Sequence, residues 1–180
     1  NVSRISINPQ TFNDDVLKSI GRRHTSKQTV DAYNLARQMG FGNINMDFIA
    51  GLNSDTFDSF KQSIDTAINL SPESITVHNL ALKSGAYLCT ENELFDLTKR
   101  SLATKMIDYS YNTLTQNAYN PYYMYRQSKS LGNLENVGYA RDGYDCLYNI
   151  FMMDETHTVL AAGAGAVIKL KNPKTTHIER

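Results

Sequence analysis

The sequence predicts an α/β fold in which a parallel sheet, backed by helices, curves around a solvent-filled or ligand-filled interior. Two observations carry that expectation. The first eighty residues repeat one pattern three times, a short apolar-alternating run, a turn and a helical stretch, which is the signature of βα units and a parallel sheet. The second run also alternates Ile44, Met46 and Phe48 with Asn45 and Asp47, so one face of that strand is polar. A fully packed parallel sheet reads apolar on both faces, and a small closed barrel fills its centre with branched apolar side chains. An aspartate on a dry face would be costly. A strand with one solvated face explains the same alternation.

The elements follow in order. Residues 4–7 form a strand that ends at Pro9, where regular pairing stops. A short helix over residues 14–20 carries Asp14 and Asp15 at its positive end and stops at Gly21. A longer helix over residues 26–39 has Val30, Tyr33 and Ala36 at helical spacing and closes at Gly40. Residues 43–50 are the second strand. Ser54 or Asp55 caps a helix whose Phe57, Phe60, Ile64, Ala67 and Ile68 make one apolar stripe. Residues 74–82 are the third strand, and a long helix runs from Glu91 to about Gln116.

Beyond residue 117 the character changes. Nine of the eleven tyrosines fall between Tyr109 and Tyr148, and the strands near residues 122–125 and 158–170 have no regular helix between them. We expect residues 1–118 to hold the βα units and residues 119–180 to form a strand-and-loop extension packed on the same domain.

The composition sets limits. Hydrophobic residues are 41% and charged residues 20%, and eighteen basic side chains balance eighteen acidic ones. A neutral chain lacks the one-sided field of a nucleic-acid wrapper or polybasic membrane binder. No apolar run reaches the ~18 residues of a membrane span. Cys89 and Cys146 are too few for a disulfide framework and have no metal-ligand spacing. A reducing cytoplasm is the expected compartment. The opening Asn1-Val2-Ser3-Arg4 is neither an initiator methionine nor a signal peptide, and we expect a piece of a longer protein.

Six segments in fixed order carry a family resemblance: Arg4 to His24, Asn45-Met-Asp-Phe-Ile-Ala-Gly-Leu52, Ile75-Thr-Val-His-Asn-Leu-Ala-Leu82, Pro121-Tyr-Tyr-Met-Tyr-Arg-Gln127, Glu135-Asn-Val-Gly-Tyr-Ala140, and Leu160-Ala-Ala-Gly-Ala-Gly-Ala166. Together they resemble the oxygen-independent coproporphyrinogen III oxidases (dehydrogenases) of the radical-SAM superfamily, most closely the HemZ-like branch. The resemblance implies the last three βα units of a partial (β/α) TIM-like barrel, with a mixed-strand C-terminal extension. It also implies a [4Fe-4S] cluster and S-adenosyl-L-methionine, whose reductive cleavage gives a 5′-deoxyadenosyl radical. In the family that radical takes hydrogen from a propionate of coproporphyrinogen III, which loses carbon dioxide and becomes a vinyl group in haem biosynthesis. An electron-donor protein is an implied partner. The family's C-x3-C-x2-C cluster loop and its early strands are missing from this sequence, and two distant cysteines cannot replace them.

The resemblance also assigns cofactor contacts. Gln10 matches a glutamine near the ribose, and its amide can donate to and accept from a diol. Arg22 matches the arginine that pairs with the methionyl carboxylate, where a planar guanidinium makes a two-bond fork; Arg23 reads as a surface charge. Asp47 matches an acceptor of ribose hydroxyls. Ala81 matches a small residue whose backbone meets the adenine, and Val167 an apolar residue near a second cofactor molecule. Gly163 and Gly165 are read as permitting close backbone approach. Asn53 stands where the broader family has proline. His24 and His78 read as lone structural histidines. The tyrosines, with Arg126, Gln127 and Lys129, could line a pocket for a macrocycle, and tail-to-barrel packing explains them as well.

Three functions compete: an oxidative decarboxylase of coproporphyrinogen III, a haem-binding chaperone of the same superfamily, and an inert fragment. The Tyr125-Arg-Gln127 run favours the HemZ-like branch. With no strand ahead of residues 4–7, self-association through that edge is expected.

Overall fold

The computed structural model describes residues 2–81, 97–127, 130–175 and 178–179. Two compact units result, Asn1–Tyr144 and Asp145–Arg180.

The first unit is built on a five-stranded sheet ordered β1-β2-β3-β5-β4. Strands β1 (Ile5–Ser6), β2 (Ile44–Ala50) and β3 (Ser74–Asn79) run parallel, as expected from the alternation of strands and helices. β5 (Asn136–Ala140) returns antiparallel to β3, and β4 (Asn120–Tyr125) lies antiparallel to β5 at one edge. β1 forms the other edge. Its pairing is shorter than residues 4–7, although the Ile7 N–H still donates to the Asn45 carbonyl at 2.8 Å.

Four helices cover one face of this sheet or its ends. In α1 (Asp14–Ser19), the Asn13 side chain accepts from the backbone N–H groups of Asp15 and Val16. α2 (Ser26–Gln38) opens on a capping box between Thr25 and Gln28. α3 (Phe57–Leu70) is capped by Thr56, which accepts from the Ser59 N–H. Neither Ser54 nor Asp55 is the cap, because Asp55 turns its carboxylate onto the Thr56 N–H at 2.9 Å. α4 (Leu97–Gln116) is the long fourth helix; the expected start at Glu91, the end of the third strand at Leu82, and Cys89 lie outside the described residues.

The core shows which way the sheet faces. Ile44, Met46, Phe48, Ile75 and Val77 pack with Tyr33 and Ala36 of α2, Phe60, Ile64 and Ala67 of α3, and Met106 and Leu114 of α4. Full burial of each larger side chain contributes about 1.5–3 kcal/mol. With Ile44, Met46 and Phe48 committed to the helices, the period of two turns Asn45 and Asp47 to the other face.

The second unit holds α5 (Leu147–Asp154) and a two-stranded antiparallel sheet of β6 (Leu170–Lys171) and β7 (Ile178–Glu179). α5 departs from the expectation of strands and loops alone. Its Leu-Tyr-Asn-Ile-Phe-Met-Met run has no glycine or proline to interrupt a helix. Cβ atoms placed on Gly163 and Gly165 would meet open space, so these glycines do not serve close approach. Their φ values of +121° and +75° are what favour glycine.

Candidate functional site

The face of the sheet turned away from the helices carries a continuous polar network. Asn45 is its hub. Its Oδ1 accepts from Ser74 Oγ at 3.1 Å and Thr76 Oγ1 at 3.3 Å, which leaves its Nδ2 to donate to Asp47 Oδ1 at 2.7 Å. Arg4 reaches the same row through Nη2 to Ser74 Oγ at 3.4 Å. Register explains the row: Asn45 pairs with Ser74 and Asp47 with Thr76 across parallel strands, so all four share one face.

Asp47 is the charged member of that face. Its side chain keeps 21% exposure, and its Oδ2 lies 3.8 Å from His78 Nε2. Burial pushes the carboxyl up, but His78 and the Asn45 amide outweigh it and hold the group below the usual aspartate value. Asp47 is therefore an ionised acceptor with an oxygen that Asn45 does not use.

Gln10 sits directly beside it. The Gln10 N–H donates to the Asp47 carbonyl at 2.9 Å, and the Ile49 N–H donates to the Gln10 carbonyl at 3.0 Å. Gln10 is buried and takes a left-handed φ of +67°, a costly conformation for a residue with a Cβ. Arg22 lies on the same connection. Its N–H closes α1 onto the Leu17 carbonyl at 2.9 Å, with Gly21 in the position such a cap requires. The residue itself is exposed, as is Arg23. His24 ties this loop back to the strand end, with Nε2 3.3 Å from the Pro9 carbonyl oxygen. Ala81 forms an isolated bridge with Ser130 beyond the end of β3. Val167 belongs to the second unit and is 59% exposed.

Gln10 thus bridges Phe48, with backbone bonds to Asp47 and Ile49 on either side, and Arg22 lies on the connection that His24 ties to Pro9. Ala81 extends the neighbouring strand, and Val167 stands in the other unit. The sequence reading missed His78. Its signal was available in Ser74-Ile-Thr-Val-His78, where a period of two sets His78 on the face of Ser74 and Thr76.

The tyrosines of β4 complete the face. A bulge between Pro121 and Tyr123 inserts Tyr122 as an extra residue in the strand. The rings of Tyr122 and Tyr123 meet at 4.8 Å between centroids, and those of Tyr123 and Tyr125 stack at 6.3 Å with planes 5° apart. Tyr123 crosses β5 over Gly138, where a Cβ would come within 1.8 Å of its Cε1. Burial pushes the Tyr123 phenol up to about 12, so it remains a neutral donor. Tyr125 OH comes 3.4 Å from His78 Nδ1. Arg126 is taken up by Glu135 at 2.9 Å, on exposed surface. Lys129 lies outside the described residues.

A concavity of about 570 Å³ lies among the helices and is lined by Phe12, Asn13, Ser26, Lys27, Ser59 and Ser63. None of the polar-face residues takes part in it. No group of three His, Cys, Asp or Glu side chains that could hold a metal ion occurs among the described residues, and no helix among them is long and apolar enough to cross a membrane.

Comparison with known proteins gives this geometry its family. Residues 1–67 match the radical SAM superfamily. They belong to it. Across 98% of its length the chain is 40% identical to a Bacillus subtilis protein named oxygen-independent coproporphyrinogen-III oxidase-like protein HemZ, of which it covers 35%. It is also 29% identical, over 98% of its length, to the haem chaperone HemW of Lactococcus lactis, of which it covers 45%. The chain therefore spans between about a third and a half of these relatives. The solved structure of coproporphyrinogen III oxidase (HemN) from Escherichia coli, described as a radical SAM enzyme, superposes with a TM-score of 0.62 at 20% identity, over 93% of this chain and 39% of that one. The fold is accordingly a partial radical SAM barrel with a mixed-strand extension, and the radical SAM family uses S-adenosylmethionine with an iron–sulfur cluster.

Proposed function

We propose that the protein carrying this chain is a radical SAM oxidoreductase that oxidatively decarboxylates coproporphyrinogen III. The supporting observation is the ionised Asp47 on the helix-free face, whose backbone carbonyl accepts from the Gln10 N–H, in a chain 40% identical to the HemZ protein over 98% of its length.

The residues fit an S-adenosylmethionine site. Asp47 would accept from the ribose diol through Oδ2, the oxygen that Asn45 does not hold. Gln10 would offer its amide to the same ribose region. Arg22, exposed at the end of α1, would fork onto the methionyl carboxylate. Ala81 would meet the adenine through its backbone, and Val167 would supply an apolar contact to a second cofactor molecule. When bound with its cluster, the cofactor supplies a carbon-centred radical able to take hydrogen from a substrate propionate. With two cysteines where the cluster loop needs three, these 180 residues alone would be inert.

A haem chaperone is the second reading, favoured by the 29% identity to HemW over 98% of the chain. Anaerobic turnover decides between them. The full-length protein, reconstituted and reduced, should convert coproporphyrinogen III with release of carbon dioxide. Stable haem binding without turnover would assign it to the chaperones instead.

A further inference from the structure

We propose that His78 is the positioning residue of the Asp47 carboxylate, and that Tyr125 fixes His78 in turn, so that a ligand diol is met by a relay spanning three strands. This rests on the reading of Asp47 as the acceptor of a ribose diol.

Geometry defines the relay. His78 presents Nε2 to Asp47 Oδ2 at 3.8 Å and Nδ1 to the Tyr125 hydroxyl at 3.4 Å. The relay places a proton on Nε2, facing Asp47, which can only accept. Nδ1 is then an acceptor, and the Tyr125 phenol donates to it. The phenol is suited to this, since burial and the negative charge of Asp47 both keep its proton on. Asn45 holds Oδ1 from the other side at 2.7 Å, so the two carboxylate oxygens are separately steered. At 3.8 Å the imidazole contact is electrostatic and longer than a hydrogen bond; such contacts commonly tighten when ligand arrives.

The reach of Tyr125 is a product of the fold. β4 is separated from β3 by β5, and on the polar face β5 presents Gly138, over which the Tyr123 ring lies. The stacked Tyr123 and Tyr125 rings cross that low strand toward Thr76 and His78. The His78 and Tyr125 rings meet edge to face at 6.4 Å.

The test combines a spectrum with an affinity. Ring ¹⁵N shifts of His78 in the free protein should show the Nε2–H tautomer, and should move in both Tyr125→Phe and Asp47→Asn. Calorimetric titration of the full-length protein with S-adenosylmethionine should show His78→Phe weakening binding roughly five- to tenfold, the scale of one modest polar contact. His78→Gln, which retains a donor, should recover most of that loss. An Nδ1–H tautomer overturns the relay, as does a His78 spectrum indifferent to both variants. If Asp47→Asn weakens binding and His78→Phe leaves it unchanged, the positioning role fails while the diol reading survives. Unchanged affinity in Asp47→Asn removes the reading and the relay together.

Discussion

The two units of this chain use apolar residues in opposite ways. In residues 1–144, Phe48, Phe60, Met46 and Ile75 are fully buried between sheet and helices. In residues 145–180 none of the described residues is buried, and Leu147, Leu160, Val167 and Leu170 are exposed. A site needs side chains held by packed neighbours. By that measure Gln10 and Asp47 rest on a determined frame, and Val167 rests on none that its own unit supplies.

The largest effect that could break this contrast is on stability. Phe48→Ala should cost about 3–5 kcal/mol, the range for deleting a buried aromatic ring. Leu160→Ala, at 76% exposure, should stay within about 0.5 kcal/mol. Urea unfolding of both variants measures the difference, and similar losses would mean that the second unit has a core of its own.

Ligand affinity sharpens the contrast next. Asp47→Ala and Arg22→Ala in the full-length protein should each weaken S-adenosylmethionine binding ten- to hundredfold, about 1.5–3 kcal/mol for a charge-assisted contact. Far-ultraviolet dichroism should stay unchanged. Wild-type affinity in both variants would defeat the assignment.

Gly138→Ala tests the frame without touching a proposed ligand group. Its Cβ would fall 1.8 Å from the Tyr123 ring, so the ring must leave, at about 1–3 kcal/mol. Tyrosine fluorescence and the unfolding midpoint should both change; an unaltered midpoint would show that the ring has space to move.

The smallest effect lies in the pH dependence of two carboxylates. Asp47 is held below its ordinary value, so its contribution is present above the unfolded pKa and is lost as pH falls through the folded one. Asp55 is the reverse. Burial pushes its carboxyl up against weaker support from Ser59 and the Thr56 N–H, so the folded state favours its protonated form and loses stability as pH rises through the carboxylate range. Stability profiles between acid and neutral pH should therefore change in opposite senses for Asp47→Asn and Asp55→Asn. Parallel changes would contradict the assigned environments.

Much of this arrangement is legible in the sequence where periodicity controls it. Alternation in β2 separates Met46 and Phe48 from Asn45 and Asp47, and the sheet confirms that separation. Periodicity fails at Tyr122, where one inserted residue sets neighbouring tyrosines side by side. No local pattern reveals such a bulge, because it depends on the pairing of β4 with β5. Thr56 replaced the expected caps for a similar reason, since three adjacent oxygen-bearing side chains compete and only the chain's entry angle selects one. His78 was legible by parity and was passed over as a lone histidine. What makes it part of a network is Tyr125, forty-seven residues later in the sequence.

Gln10 has a consequence for how this fold could be improved or spoiled. A glycine at φ +67° would relieve roughly 1 kcal/mol or more of backbone strain and still pair with the Asp47 carbonyl through its own N–H. It would carry no side-chain amide. Screening for thermal tolerance alone should therefore favour Gln10→Gly, and the same variant should bind S-adenosylmethionine less tightly; equal or better binding would show that the strained residue serves only the turn. Those two outcomes together would show stability and recognition pulling this single position in opposite directions.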